Sequence, residues 1–160
     1  MDIDRATLMF ARTHAHDPGV ERAVARYSRA GEHAACWLVL GLAGAALSND
    51  AERRRGWLRG VGVVAASYAV NQAIKFIVRR RRPELGLPPL TPTVTKLSFP
   101  SAHATTSFAA ARAYAHLAPA WALYAAAVGF AASRPYLGVH YPTDVIAGAL
   151  LGTAVAEVLP

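Results

Sequence analysis

Three short constellations in this 160-residue chain combine residue types that could handle a phosphoryl group. In the first, Lys75 stands inside an otherwise apolar stretch and is followed, after six residues, by Arg82-Pro83. An ammonium within an apolar helix is costly and by default marks a functional position. With Arg82 at the turn beyond, it makes a pair of cations suited to a phosphate dianion. In the second, Pro100-Ser101-Ala102-His103, a Ser at a helix N-cap precedes free backbone N–H groups whose partial positive charge favours an anion. His103 would project from the first turn toward anything bound there. In the third, Ser133-Arg134 is followed by His140 and, four residues on, by Asp144. A carboxylate that accepts one ring N–H of a His fixes its tautomer and leaves the other nitrogen for chemistry. Arg134 adds a planar, permanently charged donor fork. Each constellation alone has a plainer reading: a basic membrane edge, a capped helix with an incidental His, a hydrogen bond at a helix start. For Arg79, Arg80 and Arg81 the reading is the first of these, a basic patch gripping anionic lipid.

The surrounding elements decide between these readings. Uncharged stretches rich in Ala, Leu, Gly and Val predict five hydrophobic helices, at about 33–49, 57–79, 101–117, 120–134 and 142–159. Residues 83–100, with Pro88, Pro89 and Pro92, cannot be helical throughout and form a loop. Gly148 and Gly152 are spaced to let two backbones approach, within the chain or between subunits. Residues 1–32 interleave apolar residues with Arg5, Arg12, Arg22, Arg26 and Arg29, which predicts amphipathic helices broken near Asp17-Pro18-Gly19. They would lie on a membrane surface or cap the bundle. With helices alternating in direction, Lys75, Arg82, Ser101, His103, Arg134, His140 and Asp144 all fall at one end of the bundle. Cationic donors, a helix N-terminus and two His residues gathered there make a phosphoryl-transfer site.

Bulk properties agree. The hydrophobic fraction is 54% and the charged fraction 17%, against typical values of about 45–50% and about 25%. The net charge of +7 requires an anionic partner. Nucleic acid is excluded because its basic residues should form a solvent-facing stripe, whereas Lys75 is embedded in an apolar helix. The expected organisation is all-α: an amphipathic segment over 1–32 and an integral-membrane helical domain over 33–160, with about five spans. Several of the apolar runs are shorter than the ~20 residues a span needs, so a compact soluble helical domain is the competing architecture. The single Cys36 permits no internal disulfide and reads as a small buried hydrophobe. The first thirty residues lack the continuous apolar run of a secretory signal. His14 and His16 form an isolated pair, and no group of carboxylates and His has metal-ligand spacing.

The three constellations, in this order and spacing, resemble the signature of the type-2 phosphatidic acid phosphatase family, with Ala102 where many members have Gly. The resemblance covers about residues 75–144. It implies a metal-independent lipid phosphate phosphatase with no cofactor, usually built on six membrane helices. It further implies that His140 attacks phosphorus to form a phosphohistidine, that Asp144 orients it, and that His103 protonates the leaving oxygen and then activates water. Lys75, Arg82, Ser101, Arg134 and the backbone near Ala102 would hold the phosphoryl oxygens. A small member of the family is similar to bacterial phosphatases acting on polyprenyl-linked sugar phosphates, the decaprenylphosphoryl phosphoribose phosphatases among them. Phosphatidic acid, phosphatidylglycerol phosphate and polyprenyl pyrophosphate are the alternative substrates, and a non-enzymatic lipid-binding protein is the remote one. The expected partners are the lipid-linked substrate and membrane lipids. Apart from the substrate ligands, nine Lys and Arg fall on the catalytic face against four (Arg53, Arg54, Arg55, Arg59) on the other. Positive-inside bias then places the site on the cytoplasmic face of the cell membrane.

Overall fold

Local signals in the chain set where the helices begin and end. Asp17 accepts from the backbone N–H of Gly19 at 2.7 Å and thereby caps α2 (Pro18–Ala30), separating it from α1 (Ile3–Thr13). Gly31 ends α2, and a single 3-10 turn (Glu32–Ala34) leads into α3 (Ala35–Leu47). Asp50 caps α4 (Ala51–Val78) through the Arg53 N–H at 2.7 Å, so this helix starts a turn and a half before the apolar run does and takes in Arg53 to Arg55. Arg79, with φ 54°, stops it in the left-handed region. The proline-bearing loop returns to α5 (Ala102–Tyr114), followed by α6 (Ala120–Tyr136) and α7 (Pro142–Val158). These elements belong to a computed structural model that describes residues 3–14 and 16–159; Met1, Asp2 and Ala15 of the expected amphipathic segment lie outside the described residues. The described residues form helices and loops, with one isolated bridge between Arg81 and Leu97.

Helix α5 is the centre of the bundle. Its residues are mostly Ala, Ser and Thr, nine of the thirteen are buried, and α4, α6 and α7 pack around it. Small side chains let these backbones come close. The nearest approach is to α7: a Cβ on Gly148 would lie 2.6 Å from the Ser101 carbonyl oxygen, and one on Gly152 would collide with the Thr105 backbone. The pair of glycines thus serves packing within the chain. Two buried hydrogen bonds fasten α3 to α5, from Trp37 Nε1 to Ser107 Oγ at 2.8 Å and from Tyr114 Oη to the Trp37 carbonyl at 3.1 Å. Cys36 is half-buried and packs against this core.

Outward-facing positions on four helices carry large apolar side chains that the protein leaves uncovered, including Leu47, Ile77, Trp121 and Leu150, each more than two-thirds exposed. By length and composition α4 can cross a membrane, and α2 with Glu32–Leu47, bent by 49°, makes a second candidate among the described residues. The other helices are shorter; α5, at 13 residues, is about 20 Å long.

The N-terminal helices dock against the end of the bundle where α5 and α7 begin. Leu8 is fully buried, Arg12 donates to the Pro88 carbonyl at 2.9 Å, and the Tyr27 ring stacks on Phe130 at 4.3 Å. Ile3, Phe10 and Val20 face outward. The segment is therefore a cap on the bundle that also presents an apolar outer edge. His16 stacks on Tyr136 at 4.2 Å and bonds to Glu21 at 2.9 Å, a structural role.

Replacing Gly152 by Val should wedge α7 from α5. The expected cost is about 1–3 kcal/mol, or a fall in the midpoint of thermal unfolding in detergent of several degrees. An unchanged midpoint would refute the tight contact.

Candidate active site

The starts of α5 and α7 are clipped together: Ser101 N–H donates to the Asp144 carbonyl at 2.9 Å. Asn71, reaching from α4, donates to the Pro100 carbonyl at 3.2 Å and to Thr105 Oγ1 at 2.9 Å. Residues from the last turn of α4, the first turn of α5, the end of α6 and the loop before α7 thereby converge. Lys75, Arg82, Ala102, His103, Arg134 and His140 line one cleft of about 100 Å³, several times what a single water needs. Ser101 and Asp144 are buried beside it. All eight residues singled out in the sequence are thus brought to one place.

The charge pattern in the cleft is lopsided. Lys75 and Arg134 are 3% and 5% exposed and Arg82 is half-buried, yet none of the three makes an ion pair among the described residues. Their contacts are neutral. Lys75 Nζ reaches the Leu97 carbonyl at 3.4 Å, Arg82 donates to the carbonyls of Thr95 (2.8 Å) and Val139 (2.6 Å), and Arg134 donates to Ser28 Oγ. Buried cations without counter-ions are strongly unfavourable, and grouped like this they can hold a multiply charged anion. Ser101 was expected to cap α5 with its hydroxyl. It occupies the N-cap position but makes no cap hydrogen bond, and its Oγ, with Arg134 Nε, has no partner among the described residues. Both remain available to an anion at the α5 N-terminus, where the first-turn N–H groups also point.

The two His residues are held in definite tautomers. Arg82 Nη1 lies 3.1 Å from His140 Nε2, and a guanidinium only donates. Nε2 must therefore be the unprotonated nitrogen, and the ring proton sits on Nδ1, 3.6 Å from Asp144 Oδ2. That separation is too long for a hydrogen bond, so the carboxylate acts on the ring electrostatically. Burial first, and then the charges of Arg82, Arg134 and Lys75, hold the His140 pKa well below the usual imidazole value, so the ring is neutral near pH 7. Arg82, pushed down by burial to about 10, stays charged there. His103 Nε2 faces the Ser28 carbonyl at 2.9 Å and Arg134 Nη1 at 3.5 Å. The shorter contact makes Nε2–H a donor to Ser28.

The sequence missed three participants. Arg80, read as part of a lipid-gripping patch, instead points inward: Nη1 donates to Asp144 Oδ1 at 2.8 Å and Nη2 to Asp4 Oδ2 at 2.7 Å. Its guanidinium lies 4.1 Å over the Tyr141 ring. Asp4, from α1, also accepts from the Thr143 N–H at 3.0 Å and from its hydroxyl at 2.5 Å. Burial alone would raise the Asp4 pKa, but bonds from Thr143 and Arg80 outweigh it and hold the carboxyl below its ordinary value. Ser28, from α2, supplies both the hydroxyl on Arg134 and the carbonyl on His103. Each of these hydrogen bonds spans 64 or more residues, and only Ser28, a small polar residue on the inner edge of an amphipathic pattern, left even a faint signal.

Comparison with known proteins gives a consistent picture. The family model described as the PAP2 superfamily matches residues 56–160. The decaprenylphosphoryl-5-phosphoribose phosphatase of Mycolicibacterium smegmatis is 45% identical over 137 residues, covering 82% of this chain and 72% of that protein. Among solved structures, Aquifex aeolicus LpxE superposes with a TM-score of 0.82 at 19% identity, over 99% of this chain and 94% of the other. The Bacillus subtilis transmembrane PAP2-type phosphatidylglycerolphosphate phosphatase gives 0.76 at 23% identity, over 98% and 82%. At these identities the two structures speak for the fold.

If the Asp4–Arg80–Asp144 chain orients the site, Asp4→Asn should lower the turnover number for a soluble phosphate ester by about ten- to a hundredfold, the penalty of small misplacements. The Michaelis constant should hardly change. A turnover number within twofold of the parent would show that the chain only fastens α1.

Proposed function

The chain belongs to the PAP2 superfamily, and from that membership we propose a metal-independent membrane phosphatase that hydrolyses a polyprenyl-linked sugar phosphate through a phosphohistidine. That it is a phosphoric monoester hydrolase follows from the family and its named relatives. The observation that carries the finer reading is the trio of cations without ion pairs among the described residues, Lys75, Arg82 and Arg134, lining one cleft with His140, whose Nε2 lies 3.1 Å from Arg82. They supply charge neutralisation that other phosphoryl-transfer sites obtain from metal ions.

In the first step His140 Nε2 forms the N–P bond as the bond from phosphorus to the ester oxygen breaks. His103, favoured in its protonated form by the arriving dianion, gives its proton to the leaving oxygen. In the second step His103 takes a proton from water, the water oxygen bonds to phosphorus, and the N–P bond breaks to free phosphate. The cations, Ser101 Oγ and the N–H groups at Ala102 and His103 hold the phosphoryl oxygens throughout. Asp144 stabilises the positive ring as the N–P bond forms.

Membrane embedding is supported by the uncovered apolar side chains on α3, α4, α6 and α7. Five spans require short helices to cross a locally thinned bilayer or to tilt with their neighbours. The sugar phosphate is favoured over phosphatidic acid, phosphatidylglycerol phosphate and polyprenyl pyrophosphate by the relative at 45% identity. Arg12 and Arg80 prove to be engaged inside the protein, and the positive excess on the catalytic face stands without them, which supports a cytoplasmic site.

The detergent-purified protein should release phosphate from a polyprenyl-phosphoryl phosphoribose in the presence of EDTA, and His140→Ala should reduce the rate at least ~10³-fold. Release that persists in the variant would remove His140 from its role, and no release from any lipid phosphate would favour a binding protein. Because the free His140 is held neutral, kcat/KM should show no enzymatic acid limb at or above pH 6.5, the unperturbed His value. A limb there would contradict the depressed pKa. For orientation, Leu87→Cys in a Cys36→Ala background should resist an impermeant thiol reagent in intact cells, and labelling would reverse the assignment.

A further inference from the structure

The cleft has a second wall that the chemistry above does not use. Glu32 and His33, from the 3-10 turn, and Tyr68 and Gln72, from α4, line the same space as Lys75 and His140. Tyr68, Gln72 and Lys75 are spaced four and three apart on one face of α4. At about 1.5 Å per residue, the Gln72 backbone lies roughly 4–5 Å and that of Tyr68 roughly 10 Å along the helix from the Lys75 backbone, toward the α4 N-terminus. An apolar wall would serve best there if the group next to the phosphate were a hydrocarbon or an acyl ester. The wall is polar instead.

We propose that Glu32, His33, Tyr68 and Gln72 form a subsite that binds the hydroxyl groups of a polyol, of which a sugar is the fitting class, bonded directly to the phosphate being removed. This rests on the phosphatase reading and adds the residues that select the substrate. Glu32 puts a carboxylate beside cations gathered for an anion, which makes it unfit to hold phosphoryl oxygens and well suited to accept from hydroxyls. The Glu32 carboxylate and the Gln72 amide have no hydrogen-bond partner among the described residues, so both are free for a ligand. His33 and Ala34 have φ of 53° and 61°, left-handed values that cost residues with a Cβ and persist where the surroundings enforce them. This backbone brings His33 Nδ1 to 2.9 Å from Tyr68 Oη and fixes both rings at the edge of the cleft. The order of groups down α4 matches a lipid-linked sugar phosphate: terminal phosphate at Lys75, hydroxyls at Gln72 and Tyr68, and the lipid chain leaving toward the apolar belt.

The test compares two phosphomonoesters that share a short prenyl chain, one with the phosphate on a ribose and one with it directly on the chain. The parent should prefer the ribose ester in kcat/KM. Glu32→Gln should cut that preference by on the order of tenfold or more, as losing a charge-assisted hydrogen bond does. Tyr68→Phe, which deletes one oxygen and keeps the ring, should cut it several-fold and serves as the safeguard if Glu32→Gln folds poorly. A preference unchanged in both variants would overturn the subsite and leave the phosphatase reading intact. A parent without preference for the ribose ester would overturn subsite and sugar substrate together, while His140-dependent release from the plain ester would still stand.

Discussion

The site depends on keeping its own carboxylates from pairing with three of its cations. Lys75, Arg82 and Arg134 can hold a dianion only while nothing in the protein pairs with them. Asp144 sits within the same shell and could do so. Its Oδ1 is taken by Arg80 at 2.8 Å and its Oδ2 by the Tyr141 N–H at 2.9 Å, and Arg80 is in turn shared with Asp4. The carboxylate charge is thus spent on a fourth cation at the rim, and only its residual field reaches His140 across 3.6 Å. Removing these three charges from water without counter-ions is unfavourable. The fold tolerates it because backbone carbonyls and Ser28 satisfy the donors that point away from the cleft.

That arrangement explains the position of the N-terminal helices. Asp4 in α1 anchors Arg80, Arg12 ties α1 to the loop at Pro88, and Ser28 in α2 orients both Arg134 and His103. Gly138, with φ 74°, leaves no room for a Cβ beside the Arg12 side chain, so α1 sits directly on the turn that presents His140. The segment is thus one wall of the catalytic end, and its outward Ile3, Phe10 and Val20 are what remains for a membrane surface.

How much of this the sequence disclosed depends on how local the cause was. The Lys75–Arg82, Ser101–His103 and Arg134–His140–Asp144 groupings were legible because each is fixed by spacing along one helix end. Helix alternation then sufficed to bring them together. The break at Asp17-Pro18 and the loop at 83–100 followed from residues whose backbone preferences are strong. Arg80 was misread because a charge in a run of four arginines looks the same whether it meets lipid or a carboxylate 64 residues away. Ser101 was only half right: its position follows from the preceding proline, whereas the fate of its hydroxyl depends on what surrounds it. The start of α4 was placed late because the apolar run was taken as the helix, and the Asp50 cap lies outside that run.

Helix length bears on how the end of the bundle that carries the cleft is built. At 13 residues α5 covers about 20 Å, short of the ~30 Å hydrocarbon thickness, and it begins at the cleft. The cleft lies beside the last turn of α4, which ends three residues past Lys75, so the extra length of that helix extends away from the cleft. The 83–100 loop, much of it exposed, is fixed to the chain around it: Arg82 N–H donates to the Lys96 carbonyl, Ser98 N–H to that of Arg80, and Leu90 N–H to that of Leu137, just past α6. The small residues of α5, which let α7 close upon it, and the loop that folds over its start are thus two parts of one solution. They hold a polar, cation-rich cleft at the end of the bundle where α5 begins, beside the last turn of α4.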